Sequence, residues 1–286
     1  MSALHKFGCG IVIAVVALVT PAPLLAQTNA PAVTAATPPE MSEADQFFTQ
    51  YTRAAALAAK GATQQATLVM DQLYKNLSTS PWLEIALLKH SELSESQSAQ
   101  AAVEGYDLLQ KRVANAPYFI GTARRAQLFR AALNGAIDRG ISRIRLQRVR
   151  DGLERYFIRY HQYPESLAKL SIFNYVDLAD ISDPNSRPFR YLPTGQQLRP
   201  TISYMRYELE TIGVEPFLVQ APKLDGTTQI NHDPEQYVAL VRVPGRQEAV
   251  RVTEDQTLEG YYMAAIALRG VVLCSNNRIL VLLTPQ

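Results

Sequence analysis

Residues 144–191 read IRLQRVRDGLERYFIRYHQYPESLAKLSIFNYVDLADISDPNSRPFRY. In the first half, Leu146, Val149, Leu153, Tyr156 and Tyr160 recur at alternating spacings of three and four, which lays one apolar stripe along a helix. Arg143, Arg145, Arg148, Arg150, Arg155 and Arg159 take the remaining faces, where their heads stay wet and their stems cover apolar surface. Pro164 lacks an amide hydrogen and pushes the residue before it toward extended backbone, so the helix is expected to stop near Tyr163. Pro164-Glu165-Ser166-Leu167 predicts a short second helix, with proline in its first turn and glutamate at the positive end of its dipole. Leu167, Leu170 and Phe173 can fold back on the stripe. Asp183-Pro184-Asn185-Ser186 reads as a turn, each residue through its own backbone preference. Phe189-Arg190-Tyr191-Leu192 then alternates sides as a strand does.

The order and spacing of these residues resemble the periplasmic part of the G-type major pseudopilins of type II secretion. In that family a long helix leads into a Gly-x-Tyr-Pro element, followed by an Asp-Pro-x-Gly-x-Pro-x-x-Tyr turn and strand. Here Gln162-Tyr163-Pro164 matches the first element without its glycine. Asp183, Pro184, Pro188 and Tyr191 match the second, with Ser186 in place of glycine. The match covers roughly a fifth of the chain and is a short pattern of moderate specificity. It implies structural roles for Tyr163, Pro164, Asp183, Pro184, Pro188 and Tyr191. Tyr163 is expected to bury its ring near the helix end, and Asp183 to accept amide hydrogens in its turn. Pseudopilins begin with a cleavable leader and a Phe-rich helix carrying glutamate at its fifth position. Nothing in this chain matches that start, so it is not expected to be a pilus subunit.

The 286 residues can bury a sizeable core, and a charged fraction of 19% with 47% hydrophobic residues is that of a globular protein. A net charge of +2 is nearly neutral and argues against a general nucleic-acid binder, whatever the local arginine density. His5 and Lys6 precede an apolar run from Phe7 to Val19, and small residues follow up to Ala26. That pattern reads as a secretory signal peptide over 1–26, cut after Ala26, with an uncleaved anchor as the rival reading. Cys9 does not make a lipobox, because Lys6 stands where an aliphatic residue is needed. Export to the periplasm or beyond leaves Cys274 alone, unable to close an intrachain disulfide, and it reads as a small buried hydrophobe.

Residues 27–41, rich in alanine, proline and threonine, read as a flexible linker. The stretch 42–140 reads as a helical domain. Ser42 with Asp45 can cap a first helix through Lys60; others are expected over Ala62 to Leu77, from Pro81-Trp82 to Ser94, over Ala99 to Ala114 and over Phe119 to Arg139. The pattern is similar to tetratricopeptide-type repeats, and a plain bundle fits equally well. Gly140 allows a kink or break before the next helix. Within that helix Asp151 and Arg155 can pair at i, i+4. A pseudopilin-like region of helix and strands follows over 141–220, with strands at Thr201 to Thr211 and Phe217-Leu218-Val219. Lys223 to Pro234 reads as a polar loop. A small β module over 235–286 has strands at Tyr237 to Val243, Glu248 to Val252, Gly270-Val271-Val272-Leu273 and Arg278 to Leu282, with Asn276-Asn277 as a hairpin turn. It is similar to the β-modules of inner-membrane secretion and pilus components that face the secretin channel. The fold class expected is α+β.

No phosphate loop, dinucleotide fingerprint, nucleophile elbow or paired-histidine zinc motif occurs in the sequence. His161 and His232 lie far apart and read as surface residues. Asp177, Asp180 and Asp183 form an acidic cluster near the turn, and Asp225 and Asp233 are the nearest calcium candidates, all more simply read as turn-capping carboxylates. The sequence therefore points to no catalytic, cofactor or metal site. The expected partners are other envelope or secretion-system proteins, with no nucleic acid and no small-molecule substrate, and the membrane only through an uncleaved leader. The leading expectation is a non-catalytic exported component of a type II secretion or pilus-like assembly. A periplasmic helical scaffold unrelated to secretion is the second reading, and a secreted hydrolase the third.

Overall fold

The computed structural model describes residues 41–115, 122–194, 206–210, 221–232, 235–275 and 278–285. The expected leader, the linker up to Glu40, the strand at Phe217-Leu218-Val219, Asp233 and the Asn276-Asn277 turn lie outside these residues. The chain is α+β: helices α1 (Glu43–Ala59), α2 (Thr63–Asn76), α3 (Trp82–Ser94), α4 (Ala99–Asn115), α5 (Ala123–Tyr160) and α6 (Ala168–Ile172) precede the strands. A 3-10 turn at Leu178–Ile181 leads into β1 (Arg190–Thr194), which pairs with β2 (Arg206–Glu210). Then come β3 (Lys223–His232), β4 (Glu235–Arg242), β5 (Val250–Val252), β6 (Thr257–Leu258), β7 (Tyr261–Ala267), β8 (Gly270–Ser275) and β9 (Arg278–Leu283). All pairings are antiparallel, in sheets of order β3-β4-β5 and β6-β7-β8-β9.

Local chemistry sets the helix ends. The Ser42 hydroxyl accepts from the Asp45 amide at 3.2 Å, which satisfies one of the orphan donors at the start of α1. The Thr122 hydroxyl does the same for Arg125 at α5. Successive helices pack on one another, and α3 is the central one, burying residues on nearly every face, from Trp82 and Ile85 to Leu88 and Ser91. Phe47 and Phe48 of α1 meet the Trp82 ring at centroid distances of 5.2 and 5.3 Å.

The same core continues into the terminal sheet. Tyr262, Ala264, Ala265, Val272 and Cys274 join the helical cluster from one face, while Met263, Ile266, Val271 and Leu273 pack on β3 to β5 from the other. The sheet is thus the middle layer of three, which is why β7 and β8 read as unbroken apolar runs rather than alternating ones. Residues 235–286 share their core with the helices that were read as a separate region.

Two readings change. First, α5 runs without a break through Gly140 for 38 residues, about 57 Å at 1.5 Å per residue. The glycine is there for space: a Cβ on it would sit 2.2 Å from Cζ of the buried Tyr106 ring. The boundary drawn at 140/141 falls inside this helix, which starts at Ala123 after the Thr122 cap; the expected start at Phe119 lies outside the described residues. Second, Lys223 to His232 is a strand rather than a loop. It is an edge strand with Leu224 buried, bulges near Asp225 and Ile230, and an exposed polar outer row, so its composition hid its geometry.

The distal half of α5 carries a second core. Val149, Leu153 and Tyr156 of the apolar stripe bury against Leu167, Leu170 and Phe189. Phe173 remains 49% exposed but keeps its ring 6.1 and 5.8 Å from Tyr156 and Tyr160. The helix ends at Tyr160, where His161 takes left-handed backbone as its cap, and α6 begins only at Ala168. His161 and Ser186 hold left-handed backbone, at φ 55° and 62°. An L-residue there costs about 1 kcal/mol. His161→Gly and Ser186→Gly should each raise the melting midpoint by about 3 °C. A fall in either case would show that the side chain, not the backbone, matters at that position.

Candidate functional site

The six residues singled out from the sequence are brought into one module on the side of α5. The Tyr191 hydroxyl donates to the Pro164 carbonyl at 2.8 Å, tying the first strand to the helix-stop element. Tyr163 is half-buried and stacks on Phe157 at 4.8 Å. Asp183 accepts the Arg187 amide at 2.7 Å through its carboxylate, and its carbonyl accepts the Ser186 amide at 3.0 Å. Pro184 opens this turn, and Pro188 closes it in a bridge to Ser182. At the tip, Asn185 reaches back to the Asp138 carboxylate on α5 at 3.0 Å.

The arginine series explains itself once this module is in place. The Arg145 guanidinium donates to the Ser182 carbonyl at 3.0 Å and Arg155 to the Tyr175 carbonyl at 2.7 Å. Arg148 meets the buried Asp180 carboxylate at 3.2 Å. These contacts strap residues 175–182 along α5. Asp151 and Arg155 do not pair: Asp151 accepts from Gln147, while Arg155 donates to the Asp151 carbonyl instead. Of the acidic residues considered for calcium, Asp180 is held by arginine and Asp225 pairs with Arg242 at 2.6 Å. Among the described residues no group of three or more metal-ligating side chains comes together. Among them, too, no helix is long and apolar enough to cross a membrane. Burial pushes the Cys274 thiol up to about 12, which leaves it an unreactive core group.

Two adjoining depressions run beside α5 and share Arg148 and Asp151. One, of about 680 Å³, lies between the start of α4 and the face bearing Arg143, Gln147 and Arg150. The other, about 410 Å³ and mostly polar, opens between Arg155 and the strap at Tyr175 to Asp177. From Arg143 to Arg155 the groove extends about 18 Å along the helix. Its wall is held from within: Glu95 accepts Arg143 at 2.7 and 3.0 Å and the Tyr106 hydroxyl at 2.5 Å. Sequence reading named Asp180 only as a turn-capping or calcium-binding acid and missed the contacts of Glu95, Asp138 and Asp180 with partners 32 to 48 residues away.

At the other end of α5, Arg125 is clamped by Asp255 at 2.8 Å and Glu254 at 3.0 Å, and Tyr262 donates to Asp255. A cavity of about 140 Å³ lies beside this cluster, walled by Trp82, Phe129 and Ala264. The Arg125 hydrogen bond holds the Asp255 carboxyl below its usual range. A depressed native pKa contributes stability above the unfolded value and loses it as pH falls through the native one. Asp255→Asn should therefore flatten the fall of melting temperature below about pH 4. An unchanged acid limb would mean that this clamp does not contribute.

Searches of protein-family models, of characterised proteins and of solved structures find no match to this chain.

Proposed function

We propose that this protein is a non-catalytic exported envelope protein, a component or accessory of a type II secretion or pilus-like assembly, and that it works by presenting surfaces to partner proteins. The observation that carries the reading is conformational. The two positions at which the pseudopilin pattern has glycine are His161 and Ser186, and both hold the left-handed backbone that glycine adopts most easily. The link from Tyr191 to Pro164 further joins the two halves of the pattern in space. The groove along α5 is the surface assigned to the partner, because Gln147 and Arg150 in its wall are exposed and take no part in the core or the strap.

Photo-cross-linking from position 147 in envelope extracts tests this. Secretion or pilus components should be captured, and Arg150→Glu should weaken the capture while the melting temperature stays within about 1 °C, since exposed substitutions usually cost under 0.5 kcal/mol. Deleting residues 254–286 is not a usable test, because β7 and β8 belong to the main core. Capture only of proteins outside such machines would favour the helical scaffold reading. Substrate hydrolysis by the purified protein with no envelope partner would sink the proposal.

A further inference from the structure

Where the start of α3, the first turns of α5 and β7 meet, the cavity beside the Arg125 clamp holds about 140 Å³. Its apolar walls are Pro81, Trp82, Phe129, Ala264 and Ala265, all but the proline buried. An engineered apolar cavity of about 150 Å³ takes up benzene, so the space suits one small ring. Polar residues complete the lining. Glu254 is 37% exposed and marks the mouth, while Arg125 beside it is 13% exposed. Arg125 is engaged by Asp255 and Glu254 and has little to offer an anion. Two carboxylates against one guanidinium leave this cluster a surplus negative charge. Glu254 keeps acceptor capacity as well. Its Oε1 takes the Ile266 amide at 2.9 Å and its Oε2 the Arg125 guanidinium at 3.0 Å, so each oxygen retains a lone pair. The Ser80 hydroxyl, on a residue of the same wall, has no partner among the described residues.

We propose that this cavity binds a small primary amine with a ring-sized apolar body, its ring against Trp82 and Phe129 and its ammonium at Glu254. Charge decides between heads of equal size. An ammonium is attracted by the surplus carboxylate and by the faces of aromatic rings, whereas an anionic head is repelled by the first and gains nothing from the second. The site is independent of the assembly reading, since the groove lies along a different stretch of α5.

Trp82 is the only tryptophan of the chain, so its fluorescence reports on this wall alone. The purified protein is titrated at constant ionic strength with benzylamine, benzyl alcohol and benzoate, which share a ring and differ in the head. Benzylamine should give a saturable change and bind about tenfold more tightly than benzyl alcohol, with benzoate the weakest. In Glu254→Gln, which keeps an acceptor for the Ile266 amide, the amine and the alcohol should draw level. Ala264→Leu puts a side chain into the space and should abolish the saturable change with every probe. If that variant does not fold, Glu254→Gln carries the test, because Arg125 keeps Asp255 there. Equal binding of amine and alcohol by the wild type, tightest binding of benzoate, or no saturable change with benzylamine overturns the proposal. So does an amine preference that survives Glu254→Gln, or a saturable change that Ala264→Leu leaves intact.

Discussion

Arg112→Ala is expected to destabilise the protein by about 3 kcal/mol, lowering its melting midpoint by about 6–12 °C. Glu84 is the reason. Its side chain is 1% exposed on the central helix α3, and Arg112 of α4 donates to its Oε1 at 2.7 Å. The other carboxylate oxygen has no hydrogen-bond partner among the described residues. Removing the guanidinium leaves a buried charge uncompensated, which costs far more than the pair contributes. The lower end of the usual 3–5 kcal/mol range applies because Arg112 is 37% exposed, so water can follow where it leaves. Removing the charge itself separates the causes: in Arg112→Ala with Glu84→Gln, much of the loss should return. If Arg112→Ala shifts the denaturation midpoint by less than about 0.5 kcal/mol equivalent, Glu84 is solvated and the argument fails.

Legibility followed the range of the interaction. The stripe from Leu146 to Tyr160, the Ser42 cap and the Asp183 turn were readable because each rests on residues within a turn or two of one another. Tyr191 and Pro164 were readable only through the order of residues shared with the pseudopilin pattern; their hydrogen bond spans 27 positions. What sequence reasoning missed was set by partners far along the chain. The polar row of β3 reads as a loop until β4 pairs with it, and the apolar runs of β7 and β8 do not say that both of their faces are covered. The arginines of α5 gave no hint, taken alone, that they serve backbone carbonyls of a strap 20 to 37 residues on. Gly140 was the plainest ambiguity, since a helix glycine can mark a break or make room, and only Tyr106 decides.

Gly140→Ala therefore has a sign worth measuring. In an ordinary exposed helix position the change would stabilise by about 1 kcal/mol, through propensity alone. Here the new methyl would lie 2.2 Å from Cζ, 2.4 Å from the hydroxyl and 2.6 Å from Cε2 of Tyr106, a ring that is wholly buried. Rings in a close-packed core have no cheap retreat, and overpacking of this kind costs about 1–3 kcal/mol. The expected net result is a loss of about 2 kcal/mol at the upper part of that range, or 4–8 °C. The consequence reaches the surface. Tyr106 donates to Glu95, Glu95 holds Arg143, and Arg143 lines the groove. A displaced ring should loosen that wall and weaken partner capture even at temperatures where the fold persists. Tyr106→Leu in the same background frees the space and should recover stability without restoring the Glu95 contact, so stability and capture would part company. Stabilisation by Gly140→Ala alone would show that α5 does not approach Tyr106 this closely, and the coupling of core to groove would fall with it.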